Sequence, residues 1–444
     1  MTLMKTNRYP FYFISVGLIA LLLSLLCGLL AGFQYVIPNF IKETLPFNAI
    51  RPLHTLFAVS WVILTATGGI YYYLEQNNTE KTISQKLIGM HFWLFIVTGI
   101  GIVISYSLRN FKGKEYLEFP SYFYFPIVLG WFLFGFNYFK NLFSSFKKWP
   151  VYYWMWATGI VLMIYHFTEA HLWLLPYFRD HFVQNVAMQW KAGGSYVGAW
   201  NMLVYGTSLY VMAKTSNNDS YTKSGKAFFF YFLGLTNLMF GWAHHIYIVP
   251  TAPWMRYLAY GISMTEWIIL FSIIYDWRKS LPQEKKIEYI LTYRFTILAD
   301  FWIFLNIILA LLISIPSINL FTHGTHITVA HSMGTTIGIN TLILFSSVAY
   351  ILELNKNITL SSMKKIQNGI KIFNVSFVLF WVCLLIMGVK KAHWTFYDQS
   401  ITFGEFQDSL HWFYILFVMF GLGIIIGLYY IIFELLKSIK KTYY

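Results

Sequence analysis

About twelve apolar stretches, each near the roughly 20 residues an α-helix needs to cross a hydrocarbon core, follow one another along this 444-residue chain with short polar breaks between them. They lie near 11–36, 50–74, 87–107, 121–143, 150–175, 182–213, 226–249, 257–276, 293–316, 325–352, 370–390 and 409–437. Inside lipid every backbone amide must be satisfied within the segment, so runs of this length predict an all-α membrane protein. A soluble domain is excluded on composition: 57% of residues are hydrophobic and 11% charged, against about a quarter charged in a soluble domain. No linker, repeat or polar appendage interrupts the pattern, so residues 1–444 read as a single membrane domain.

The formal charge of +14 invites a nucleic-acid reading, but the basic residues sit in alternate loops. Lys5 and Arg8, Lys81 and Lys86, Lys140, Lys147 and Lys148, Lys214 to Lys226, Arg278 to Lys286, Lys356 to Lys371, and Lys437 to Lys441 mark one side of the membrane. By the positive-inside bias that side is cytoplasmic, with both termini on it. The partner implied is membrane lipid, with no nucleic acid; the 21% aromatic content serves interfacial belts and helix packing. The first apolar run passes 20 residues without a small-residue cleavage site and reads as a retained helix, not a signal peptide. Cys27 and Cys383 both lie in apolar spans, so neither a disulfide framework nor a CxxCH haem attachment exists, and any c-type haem belongs to another chain.

Chemistry enters with the histidines. His244 and His245 close the apolar phrase FFFYFLGLTNLMFGWAHHIYIVP, where an imidazole pays for desolvation unless it gains a partner such as a metal. His54 in RPLHTLFAVSWVIL and His331 in THGTHITVAHSMG lie at similar depth, within the outer third of the bilayer. Adjacent helical residues diverge by roughly 100 degrees, so His244 and His245 can face one metal only from a distorted helix end; Gly241, Trp242 and Pro250 favour one. The outer loop RNFKGKEYLEFP carries Glu115 and Glu118, YHFTEAHLW carries His166, Glu169 and His171, and Glu266 is a carboxylate within an apolar helix. Such an acid is costly in a membrane and functional by default.

RPLHT, KEYLEFP, AHH and THGTHITVAHSMG, in that order, give a chain that resembles the catalytic subunit of the haem-copper oxidoreductase superfamily over nearly its whole length. The nearest branches are the nitric oxide reductases and the C-family (cbb-type) oxidases. The resemblance implies a twelve-helix haem-copper oxidase-type bundle holding two b-type haems beside a non-haem metal. It makes His54 an axial ligand of the low-spin haem, His331 the proximal ligand of the high-spin haem, and His244 and His245 ligands of the non-haem metal. Glu115 or Glu118 would hold calcium between haem propionates, as a hard carboxylate suits a hard cation, and Arg51 would pair with a propionate. His323 and His326 read as partners of propionates or loop backbone, and His91, His393 and His411 as structural.

Three departures from the family pattern shape the functional expectation. The second haem-ligand histidine, two residues past the high-spin ligand, is replaced by Met333, whose thioether is an established axial ligand. The sixth-span histidine is replaced by Gly194; His166 with Glu169 at i, i+3, or His171, could fill that gap, and an oxygen ligand suits iron better than copper. The tyrosine slot of the C-family is Leu238, whereas Glu266 resembles a glutamate of the nitric oxide reductases. The expectation is therefore a nitric oxide reductase-like subunit of the bacterial inner membrane, with non-haem iron rather than copper, Glu266 and Glu169 as proton-handling acids, and electrons from a cytochrome c subunit or soluble donor. The competing readings are a cbb-type oxidase reducing O2 and a degenerate haem protein that binds NO without turning it over.

Overall fold

The computed structural model describes residues 8–77 and 83–441; Lys5 and Lys81 lie outside the described residues. The chain runs through α1 (Tyr9–Val36), α2 (Phe47–Asn77), α3 (Gln85–Ser107), α4 (Tyr124–Leu142), α5 (Val151–Glu169), the single turn α6 (Pro176–Arg179) and the long α7 (Phe182–Ser216). It continues through α8 (Gly225–Phe240), α9 (Pro253–Ile262), α10 (Glu266–Ser280), the short α11 (Gln283–Glu288), α12 (Ile290–Ser314) and short α13 (Pro316–Thr322). The last elements are α14 (His326–Met333), α15 (Thr341–Leu354), α16 (Leu360–Phe396), short α17 (Phe403–Ser409) and α18 (His411–Lys441). No sheet occurs among the described residues; one antiparallel bridge, Lys114 to Leu117, pinches the acidic loop.

Among the described residues nine helical segments are long and apolar enough to cross a membrane unaided. The expected spans at 150–175, 182–213 and 226–249 are also helical, as α5, α7 and α8, but fall short of that standard. These three pack on one another, α5 on α7 and α7 on α8, so protein covers much of what lipid would otherwise face. Against the expected twelve spans, nine segments carry the membrane-spanning signature alone among the described residues.

The bundle centre is legible from burial. Every residue from Thr341 to Leu352 of α15 is buried, as is the run Trp61–Leu74 of α2, and a helix buried all round has protein on every side. α1 packs along α2, α18 along α16 and α1, and α12 along α15.

Three expected spans are broken, and all three carry site residues. α8 stops at Phe240 and Gly241–His245 continues as a 3-10 turn. The expected helix over 257–276 divides into α9 and α10, with Met264 in the left-handed region at φ 57°. Within 325–352 a π-helical turn, Gly334–Asn340, separates α14 from α15. Its cause lies on α12: Asn306 Nδ2 donates to the His331 carbonyl at 3.0 Å and to Thr335 Oγ1 at 2.9 Å, and Thr335 Oγ1 also donates to that carbonyl at 3.1 Å. Side chains inserting into the backbone ladder widen it locally. Gly334 and Gly338 permit the approach, since a Cβ there would lie 2.6 Å from Asn306 and 2.9 Å from Trp302.

Candidate haem and metal site

His54 sits in the second turn of α2, held by α1. Its Nδ1 donates to the Ser24 carbonyl at 2.8 Å while Ser24 Oγ donates to the His54 carbonyl at 3.0 Å. A proton fixed on Nδ1 leaves the Nε2 lone pair free, the state an iron-binding imidazole needs. Gly28 keeps α1 clear of the ring: a Cβ there would be 3.1 Å from it.

His244 and His245 stand in the 3-10 turn, where the backbone brings neighbouring rings onto one side. Their centroids are 4.2 Å apart at 43°. His244 Nδ1 lies 3.3 Å from Ser263 Oγ, itself 2.8 Å from Ser314 Oγ, and Asn319 Nδ2 donates to the His244 carbonyl at 3.2 Å. Trp190 of α7 stacks on His245 at 5.0 Å and 14°. His244, His323 and His331 all lie close enough to His245 to act on it electrostatically, which brings His331 of α14 near the 3-10 turn. The Nδ1 of buried His331 has no hydrogen-bond partner, and its ring lies 6.0 Å from that of Trp267.

Glu266 opens α10 beside Trp267 and is buried. Asn237 Nδ2 donates to its Oε1 at 2.9 Å, while Oε2 is buried without a partner. Trp267 Nε1 in turn donates to Tyr205 of α7 at 3.0 Å. The acid is therefore oriented by one amide and keeps one oxygen spare.

The positions that depart from the family pattern are sterically closed. At Gly194 a Cβ would lie 2.6 Å from that of Trp242, and at Gly198 it would lie 2.7 Å from Leu238. α7 and α8 touch backbone to side chain along this stripe. His166 and Glu169 pair at 2.9 Å, but the other oxygen of Glu169 binds Lys191 of α7, and His166 Nε2 is buried without a partner. His171 donates from Nδ1 to the Phe167 carbonyl at 2.8 Å. Met333 ends α14 half-buried against the main core. Two residues on within one α-helix, it points about 200 degrees from His331.

In the acidic loop Arg51 pairs with Glu115 and lies 3.9 Å from Glu118, and its guanidinium stands over Tyr116 at 5.4 Å. Arg51 thus stands against both glutamates, the residues expected to hold calcium and to pair with a propionate lying together. Burial raises the Glu118 carboxyl above its ordinary value. The loop closes through Lys112 and Gly113 amides donating to the Glu118 carbonyl at 2.9 and 3.0 Å.

The donor chemistry fits b-type haem at His54, whose tautomer is fixed, and at His331, which is buried with polar capacity to spare. For the second metal it offers two imidazoles; among the described residues no group of three or more metal-binding side chains converges. Sequence reasoning passed over Lys191, although a cation in QWKAGGSYV was itself a signal. Ser24, Asn237 and Ser263 gave none, because their roles depend on a neighbouring helix.

Comparison with known proteins points the same way. Residues 9–426 match the family described as cytochrome C and quinol oxidase polypeptide I. The chain is 22% identical over 363 residues to a nitric oxide reductase chain of Stutzerimonas stutzeri, covering 76% of this chain and 73% of that one. It is 22% identical over 419 residues to a cytochrome c oxidase subunit 1 homolog of Agrobacterium tumefaciens (strain T37), covering 90% and 76%. To cytochrome c oxidase subunit 1 of Rhodobacter capsulatus it is 21% identical over 428 residues, covering 92% and 79%. A solved heme-copper terminal oxidase dimer superposes with a TM-score of 0.68 at 13% identity, over 98% of this chain and 84% of that one.

Proposed function

The chain belongs to the cytochrome c and quinol oxidase polypeptide I family of oxidoreductases, and within it we propose the catalytic subunit of a nitric oxide reductase of the bacterial inner membrane. Two NO, two electrons and two protons would give N2O and water, with a cytochrome c subunit or soluble cytochrome as reductant. When bound, two b haems and a non-haem iron would supply electron relay and gas binding. His54 would hold the first haem, with Met333 as a candidate second ligand, and His331 the other haem. His244 and His245 would hold the iron. The Ser24 carbonyl sets the tautomer of His54, the Ser263 hydroxyl meets His244 Nδ1, and Trp190 braces His245.

Glu266 carries the reading. A membrane-buried acid with one oxygen fixed by Asn237 and the other unpartnered can hold a proton at Oε2 and deliver it where charge builds up, which is what a two-proton reduction asks of a relay. Reduction of O2 by the tyrosine-assisted route is disfavoured by Leu238, which is buried against Gly198. Gly194 favours a second reading, a haem protein that binds NO without turnover, since α7 offers no ligand and Trp242 fills the space where one would stand.

Elemental analysis and a pyridine haemochrome assay on the purified protein, followed by NO and O2 electrode traces, distinguish these. Two haems with one further iron and consumption of NO support the reductase. Copper with O2 consumption would establish an oxidase, and haem alone with neither gas consumed would leave the binding protein.

A further inference from the structure

At the end of the bundle remote from the acidic loop, the 3-10 turn Phe143–Lys148 and the turn Tyr221–Lys223 flank a groove between α5 and α8. Its cavity volume is about 660 Å³, and its walls are Lys147, Lys148, Trp149, Trp154, Lys223, Phe228, Tyr231 and Phe232. We propose that this groove binds an anionic phospholipid, its phosphate held by Lys147, Lys148 and Lys223 and an acyl chain lying on Trp154, Phe228 and Phe232.

Charge complementarity carries the argument beyond the ordinary scatter of lysines on a cytoplasmic face. Three cations from two separate turns converge on one concavity, all three exposed. Three other lysines near this end are paired, Lys226 with Asp276, Lys285 with Glu288 and Lys365 with Glu434, and Lys147, Lys148 and Lys223 differ from the remaining lysines in lining one concavity together. Among the described residues no carboxylate pairs with the groove lysines. Asp219, on the turn before Lys223, reaches Tyr152, Tyr153 and Tyr221 with its charge but does not line the groove. The floor is built: Tyr231 and Thr158 hydroxyls meet at 2.7 Å across α8 and α5, and Trp149 Nε1 donates to the Leu142 carbonyl at 3.2 Å. Phe232 is 57% exposed at the lipid-facing rim. A basic recess opening onto aromatic surface matches a headgroup joined to its chain, and its size is that of a small-molecule site.

The test is photolabelling of the full-length protein in phosphatidylcholine nanodiscs doped with a diazirine-bearing phosphatidylglycerol, or with a phosphatidylcholine carrying the same diazirine. Adducts should concentrate on the segments 147–158 and 223–232 with the anionic probe, and be sparse with the zwitterionic one. The triple variant K147Q/K148Q/K223Q should lose at least about tenfold of that labelling, since each lysine beside an anionic headgroup contributes roughly fivefold. Should the triple variant fail to assemble, K223Q alone, at an exposed side chain, should lose roughly fivefold by the same reasoning. Equal labelling by both probes, or labelling indifferent to the lysines, would make the groove ordinary annular surface and overturn the proposal.

Discussion

Glu266 and Glu118 show how one residue type takes different roles from its surroundings. With Oε1 committed to Asn237 and Oε2 free, Glu266 has the geometry of a proton carrier, whereas a structural acid would have both oxygens satisfied. Glu266→Gln keeps the amide contact and removes the titrating proton, so NO turnover should fall by about 10²- to 10⁴-fold, the usual weight of an acid–base group, with the haem absorption spectrum unchanged. Unaltered turnover would reduce Glu266 to a helix contact. Glu118 lies outside the spans, and burial raises its carboxyl above the ordinary 4.5. A raised folded value means that the folded state holds the proton more tightly. The stability this lends is complete below the unfolded value and is lost as pH rises through the folded one. Glu118→Gln should therefore melt above the parent at mildly alkaline pH and converge with it below 4.5. A lower melting point at alkaline pH would mean that the carboxylate is held as an anion, as a bound divalent cation would hold it.

At the scale of elements, the α7–α8 contact decides what the second metal site can contain. Gly194 and Gly198, at i and i+4, share one helical face, and each accepts a side chain of the neighbouring segment where its own Cβ would stand. Gly194→Ala should cost about 1–3 kcal/mol as an overpacked contact, read as a lower melting temperature. Gly194→His should disrupt assembly and create no ligand. A stable Gly194→His protein with raised metal content would show the contact to be soft. The same elements show what the sequence could reveal. The membrane-spanning helices were legible because a spanning helix writes its length and apolarity locally, and the break at His244–His245 was legible because two adjacent histidines can face one metal only off a regular helix. The π turn after Met333 was not, because its cause, Asn306, is on another helix. The division of α9 from α10 was hidden too: it turns on Met264 at positive φ, a position where sequence leads one to expect glycine. Lys191 as the counter-ion of Glu169 depends on α5 meeting α7, and spacing within either helix says nothing of that.

Over the whole molecule the buried acids differ in how fully they are partnered, and the difference bears on where protons enter; at the acidic-loop end Glu115 and Glu169 are paired, with Arg51 and with His166 and Lys191. At the lysine-lined end carboxylates are committed to structure: Glu353 accepts from the Leu291 and Thr292 amides and caps α12, Glu434 accepts from Ser362 and Lys365, and Glu75 accepts from Gln85. Towards the acidic loop Glu118 has only the ion-pair contact of Arg51 at 3.9 Å, and, deeper, one oxygen of Glu266 has no hydrogen-bond partner. A carboxylate already satisfied by fixed donors gives up those bonds to take a proton, and one with a spare oxygen does not, so the second set is the better conduit. Asp300, ten residues into α12, is the exception: it is buried with Oδ1 unpartnered, and the charge of Arg278 reaches it from α10. If protons enter from the acidic-loop face, Asp300→Asn should leave NO turnover intact. Proteoliposomes with that face outward should then alkalinise their exterior during turnover, with no outward pumping. Exterior acidification would mean outward pumping, whereas an unchanged exterior with loss of turnover in Asp300→Asn would place the entry at the lysine-lined end and make Asp300 its first buried station.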